Sequence, residues 1–501
     1  MPCGSYLDHG AAKLNKQTDT RFIQKAKPPM FRAALLILSG NAAASLLLLA
    51  RNLIIARLIP VADYGIAATF AIAMAVVEMM SALGLQQQIV QSSDGDDPRF
   101  QASLQGFQVL RGAITGGVLY LAAPLIADFL QVPQATWAYQ IMALVPVLNA
   151  LVHFDVYRMN RQMRFGPMIL TGALPALGAL GAVWPLAVWY GDYRVMLYSI
   201  ILQAVLTALT SHLVAQRPYR LVLDRALMGQ SLAFGWPLLL NGILLFAVFQ
   251  GDKLIVGRTM GMETLAIFAM GFTLTLTPTL VLSKSVQNFF LPQLTAANRG
   301  TPDGEARFAH LSMVTFQSHM LFATLIVLMI MAIGKPAIDV LLNDKYAQVV
   351  PLLTWMAILQ ALRLFRGGPA TVALAQGMTG NALIANILRV ASLPLAWWVA
   401  VTTGDIYQII AVGLAAEFLS FIVAFALVRS RVRLGLRPLV WPVVASLGTL
   451  LMAMLHALGQ TGHMMLAGSL GPYVALGLTV VGFVVSFATM TDLRRYIRSR
   501  A

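Results

Sequence analysis

Arg51, Asn52, Arg57, Glu78, Asn241, Asp252, Lys253, Arg258, Arg389 and Glu417 all lie in stretches otherwise built from apolar residues. A charge at the centre of a membrane-spanning helix costs about 3 kcal/mol on insertion scales, so these groups must face a cavity or one another rather than lipid. Two chemistries suit them. Arginine and lysine in a low-dielectric cavity give an anion charge-assisted hydrogen bonds, roughly twice as strong as neutral ones. Carboxylates either pair with such cations or, left alone, take and release protons.

Six of these residues occupy matching places in a repeat. The heptapeptide Arg51-Asn-Leu-Ile-Ile-Ala-Arg57 returns as Asp252-Lys-Leu-Ile-Val-Gly-Arg258. If the two copies face each other, Arg51 and Asn52 stand across a cavity from Asp252 and Lys253, with a net positive field that suits an anionic head group. Buried structural pairing is the competing reading for Arg51, Asp252 and Lys253. Asn241 precedes Asp252 by eleven residues, about 20° of rotation, so the two share a helix face; Asn241 either lines the cavity or makes a helix-packing hydrogen bond.

Arg57 and Arg258 close their apolar runs, where long side chains snorkel to the interface or form an outer gate. Arg389 lies at a depth where it can pair with Glu417. Glu78 has no partner visible in the sequence and is the candidate for proton coupling. Arg111 and Lys284 are expected to snorkel toward the cytosolic face, and Asp155 and Arg158 to form a surface pair one turn apart. His153, His319 and His456 are isolated on apolar runs and lack metal-ligand spacing. Cys3 is the only cysteine. No metal, no cofactor and no catalytic residue is expected.

The elements that must position these groups follow from composition. The chain has 501 residues, 58% hydrophobic and 11% charged, where a soluble domain carries about 25% charged residues. Successive apolar runs are each long enough to cross a bilayer as a helix, and period-two alternation is absent. The expected fold is an all-α polytopic membrane protein of about fourteen spans. In the first half these are 34–57, 65–90, 105–129, 136–157, 167–190 and 194–215. In the second half they are 233–258, 264–284, 311–334, 349–374, 381–402 and 406–429, followed by 439–458 and 471–490. Pro60 ends the first helix and Asp63 is placed to cap the next. The longest outer loop is expected at 335–348.

The two repeat copies lie an even number of spans apart, so the halves run in the same direction as parallel lobes. The expected divisions are a disordered cytosolic tail at 1–32, a six-helix lobe at 33–215, a linker at 216–232, a second six-helix lobe at 233–430, and two further spans with a basic tail at 431–501. The net charge of +15 is not a nucleic-acid signature. It concentrates at Arg158, Arg161 and Arg164, at Arg217, Arg220 and Arg225, and at Arg429 to Arg437 and Arg494 to Arg500, all on one membrane face. By the positive-inside rule that face, and with it both termini, is cytosolic. Asp94-Gly-Asp-Asp97 interrupts it as a solvated acidic turn.

The segments Arg57-Leu-x-Pro60-x-x-x-Tyr64-Gly65, Arg161-Gln-Met-Arg164-Phe165, Asp252-x-Leu-Ile-Val-Gly257 and Phe290-Leu-Pro292, in that order, resemble the Wzx-type polysaccharide flippases of the multidrug/oligosaccharidyl-lipid/polysaccharide exporter superfamily. The resemblance covers most of residues 33–490. It implies two six-helix lobes around a central cavity that alternates in access, and translocation of a polyprenyl-pyrophosphate-linked glycan across the bacterial cytoplasmic membrane. It also implies a monomer that is not an enzyme, working beside a polysaccharide polymerase and a chain-length regulator. Export of drugs or metabolites by the same superfamily, and a membrane glycan polymerase or ligase, are the alternatives.

Overall fold

The computed structural model describes residues 27–80, 83–297, 300–378, 380–460 and 472–499. Most of the N-terminal tail and Cys3 lie outside the described residues. Within them every regular element is helical, as a chain without water-exposed sheet edges requires in lipid. The protein is a multi-pass membrane protein.

The first half comprises α1 (Lys27–Leu58), α2 (Val61–Met80), α3 (Leu85–Gln91), α4 (Pro98–Phe129), α5 (Thr136–Met142), α6 (Leu144–Ala150), α7 (Asp155–Arg161), α8 (Gly166–Trp189) and α9 (Arg194–Val214). The second half comprises α10 (Arg225–Thr295), α11 (Pro302–Leu342), α12 (Val349–Ala375), α13 (Gly380–Ala391), α14 (Leu393–Thr403) and α15 (Ile406–Leu427), then α16 (Val440–Gln460), α17 (Pro472–Thr489) and α18 (Thr491–Arg498). Among the described residues ten helices are long and apolar enough to cross a membrane, or twelve if each of two bent pairs is one span. Fourteen is not reached on that count, in which α10 enters once and α1 does not enter. The run 136–157 breaks at 151–154 and turns by 47°, and α17 turns by 71° into α18. α10 is two helices joined across a kink at Gly261, whose φ of 84° and ψ of 174° are not helical, so the separate runs 233–258 and 264–284 are parted there. That backbone region is essentially reserved for glycine.

Polar residues at the apolar boundaries set the helix starts. Asp97 accepts hydrogen bonds from the Arg99 and Phe100 amides with Pro98 at the first position of α4, so one of the acidic-turn residues is an N-cap. Asp224 and Thr301 do the same for α10 and α11. Asp63 does not cap: α2 begins at Val61 directly after Pro60 and places Asp63 in its first turn, where a carboxylate still favours the helix dipole. The outer loop at 335–348 shrinks to 343–348, because α11 continues to Leu342.

Asp155 and Arg158 are buried, not at the surface. Their side chains are 0% and 7% exposed, with Arg158 Nε 2.5 Å from Asp155 Oδ1. Asp155 also accepts from the Gln216 and Arg217 amides, which fastens the linker between the halves to the end of α7. Arg161 reaches the Val90 and Ser92 carbonyls and Asp96. The basic residues thus stitch one end of the helices together. At the C-terminus, Gln317 of α11 donates to Asp492 and accepts from the Leu493 amide, anchoring α18 under the second half.

Helices α2 and α10 form the main seam between the halves. A Cβ on Gly65 would stand 1.9 Å from the Met262 carbonyl oxygen, and one on Gly235 2.3 Å from that of Leu83. Only glycine permits those approaches, one near each end of α2.

Candidate functional site

Next to the Leu83–Gly235 contact, the seam widens into a cavity of about 710 Å³, within the range of ligand sites. Helices of the first half form most of its wall: Glu78 of α2, Gln86 and Gln87 of α3, Gln108, Arg111 and Thr115 of α4, Asn149 of α6, Tyr157 of α7, Thr171 of α8 and Thr207 of α9. Asn241, Gly242 and Leu245 of α10 close it from the second half. Amides and hydroxyls outnumber charges here. Each can donate and accept, the property needed to match sugar hydroxyls.

Glu78 and Arg111 are the charged side chains on this wall, and their charges act on each other. Glu78 thus has a cation within electrostatic reach that the sequence did not reveal, because the two sit on different helices.

Arg51 and Asp252 do not face each other across this space. Arg51 is 8% exposed and donates to Gln203 Oε1 at 2.6 Å, from α9, and to Asn52 Oδ1 at 3.3 and 3.4 Å. Its hydrogen-bond partners are neutral amides. The structure parts Asn241 from Asp252 as well: the first lines the cavity, while Asp252 accepts a short hydrogen bond from Arg389 Nη2.

Asp252 belongs instead to a buried charge cluster in the second half. Arg389 of α13, fully buried, lies between Asp252 and Glu417, with its Nε 3.6 Å from Glu417 Oε1. Arg363 of α12 donates to Glu417 Oε1 at 2.7 Å and lies 5.3 Å over the Phe249 ring and 5.4 Å over that of Phe272. Arg366 stands 3.8 Å from Glu417 Oε2 and donates to Asn386 Oδ1 at 2.9 Å. Lys253 holds its ammonium 4.5 Å above the Phe272 ring, a cation–π contact in place of a carboxylate. Sequence reading paired Arg389 with Glu417 and passed over Arg363 and Arg366. Two arginines three residues apart inside the apolar run of α12 were the signal, by the same insertion cost that singled out Arg389.

At the opposite end of the seam, Arg57 donates to the Val340 carbonyl at 3.0 Å, and Lys345 donates to the Arg57 and Ile59 carbonyls at 2.5 and 3.1 Å. Tyr64 meets Tyr346 edge-on at 6.2 Å. Burial and the neighbouring Arg57 guanidinium hold the Lys345 ammonium pKa below its usual value. Arg258 takes no part in this closure and lies 5.8 Å over the Phe129 ring. No group of three or more His, Cys, Asp or Glu that would hold a metal occurs among the described residues.

Comparison with known proteins places this geometry. Residues 54–351 match the family described as polysaccharide biosynthesis protein. The teichuronic acid biosynthesis protein TuaB of Bacillus subtilis (strain 168) is 22% identical over 362 residues, covering 71% of this chain and 73% of that protein. The solved structure of the lipid II flippase MurJ in an inward closed conformation superposes with a TM-score of 0.67 at 13% identity, over 92% of this chain and 99% of that one. An inward-facing multidrug resistance MATE transporter of the MOP superfamily gives a TM-score of 0.61 at 14% identity, over 78% and 94%. The chain therefore belongs to the polysaccharide biosynthesis protein family and has the fold of the MOP-superfamily transporters.

Proposed function

We propose that this protein flips a polyprenyl-pyrophosphate-linked oligosaccharide from the inner to the outer leaflet of a bacterial cytoplasmic membrane, with both termini cytosolic, and that it is not an enzyme. The observation that carries the reading is a junction. The amide-rich cavity shares Val77 and Thr115 with an apolar groove of about 540 Å³ that runs between α2 and α4 past Ile72, Val118, Leu125 and Phe129. A polar chamber continuous with an apolar, lipid-facing track suits one molecule with a hydrophilic head and a long hydrocarbon tail.

The energetics agree in direction. Moving an anion outward runs with a cytosol-negative potential worth about 2.3 kcal/mol per charge per 100 mV, so a doubly charged head group would gain roughly 4 to 5 kcal/mol. The halves would rock about the seam, the Arg57–Lys345 end and the Leu83–Gly235 end opening in turn. The relatives' family and fold support transport; the substrate is inferred from the cavity.

Deleting the chain from a producing cell and measuring delivery of lipid-linked glycan to the outer leaflet tests this directly. Delivery should stop, and Gln108→Leu with Asn241→Leu should restore insertion of the protein without restoring delivery. Unchanged delivery in the deletion strain sinks the reading. One feature favours a second reading: the cavity carboxylate Glu78 also suits a cationic small molecule, and efflux of a cationic dye that Glu78→Gln abolishes would select it.

A further inference from the structure

The charge cluster of the second half is unbalanced. Lys253, Arg363, Arg366 and Arg389 surround only Asp252 and Glu417, leaving two formal positive charges in excess at a depth where each unpaired charge is costly. Arg389 is enclosed between both carboxylates, and Lys253 rests on an aromatic face. The surplus is therefore shared by Lys253 and by Arg366, which stands 3.8 Å from Glu417, and Arg363 and Arg366 both line a separate pocket of about 200 Å³.

That pocket is equipped for an anion. Asn381 and Asn386 of α13 and Ser283 of α10 complete its polar wall. Asn381 is 4% exposed; its Oδ1 accepts from Arg431 at 2.9 Å, which fixes the amide, and its Nδ2 has no partner. A buried amide donor left unmatched is costly, and this one stands on the pocket wall beside two guanidinium groups. It lies in the first turn of α13, where the helix dipole adds further positive potential. Planar guanidinium groups recognise phosphate oxygens preferentially.

We infer that the pocket bounded by Arg363, Arg366 and Asn381 binds a phosphate or diphosphate group, as a site in the second half distinct from the amide-rich cavity of the first. The chemistry is the same whether the group is free in solution or is the head of a lipid. The inference goes beyond the flippase reading and does not require it, because a soluble anion would satisfy the same donors.

The test uses the full chain in phosphatidylcholine nanodiscs, with inorganic pyrophosphate in one arm and polyprenyl diphosphate doped into the discs in the other, read by ligand-dependent thermal stabilisation and by direct titration. Binding in either arm should weaken at least tenfold in Arg366→Gln and in Asn381→Ala, but not in Arg99→Gln, which removes an exposed charge elsewhere. Binding only in the pyrophosphate arm identifies a soluble anion, and binding only in the doped discs identifies a lipid head group; both support the site. No binding in either arm, or equal affinity in wild type and Arg366→Gln, overturns it. Should Arg366→Gln fail to fold, Asn381→Ala decides, since it removes an unmatched donor. Glycan delivery in the deletion strain is measured separately, so the flippase reading can fail while this site stands, and the reverse.

Discussion

Arg389 of α13 and Asp252 of α10 form a buried ion pair, 0% and 8% exposed, that ties two spans together inside the second half. Asp252 comes from the repeated heptapeptide, so the change from Arg51 to its repeat counterpart Asp252 places a packing carboxylate in one half where the other has a cation resting on Gln203. Breaking one side of such a pair leaves an uncompensated buried charge, at a cost of about 3 to 5 kcal/mol. Arg389→Gln should lower the apparent melting temperature of the purified protein sharply, and adding Asp252→Asn should recover part of the loss. A double variant no more stable than Arg389→Gln would show that the pair is not coupled.

Glu78 and Arg111 line the same cavity, and their charges act on each other. If this carboxylate carries the coupling proton, Glu78→Gln should leave the protein folded and abolish the response of transport to an imposed proton gradient, while a response to membrane potential persists. Reconstituted vesicles with each gradient applied separately measure this. A gradient response as large as in wild type excludes Glu78.

Lys345 links the halves at the Arg57 end through two carbonyl oxygens. Because burial and Arg57 lower its pKa, the closed end binds this proton less tightly than an open end that exposes Lys345 to water. Closure is therefore favoured as pH rises from the lowered value toward the ordinary 10.5, and disfavoured as pH falls through that window. Lys345→Met should remove this pH dependence and speed maleimide labelling of Ile59→Cys in a chain whose Cys3 has been replaced. Identical labelling rates with and without Lys345 would rule out the latch.

Gly261 adopts φ 84° and ψ 174°, and a Cβ there would meet nothing within 4 Å. The cost of Gly261→Ala is then purely that of the backbone, about 1 to 3 kcal/mol. Thermal unfolding should show a loss of that order, and a neutral result would mean the break between the two helices of α10 sits elsewhere.

The sequence by itself determined the class. Long apolar runs with so few charges admit only membrane-spanning helices, because lipid offers backbone groups no other partners. The same cost made buried charges legible one at a time: Arg389 with Glu417 was readable because both stand alone in apolar runs at similar depth. Tertiary structure decided the other meetings. Helical spacing reports neighbours within one helix and says nothing of the rotation of one helix against another, so Arg51 met Gln203, Asp252 met Arg389, and Glu78 met Arg111. Asn241 and Asp252 share a face by periodicity, yet α10 passes several neighbours along its length, and the cavity touches it only near Asn241. The repeat marked the places where the two halves differ in charge; packing turned that difference into a hydrogen-bonded cation in one half and an over-cationic cluster in the other.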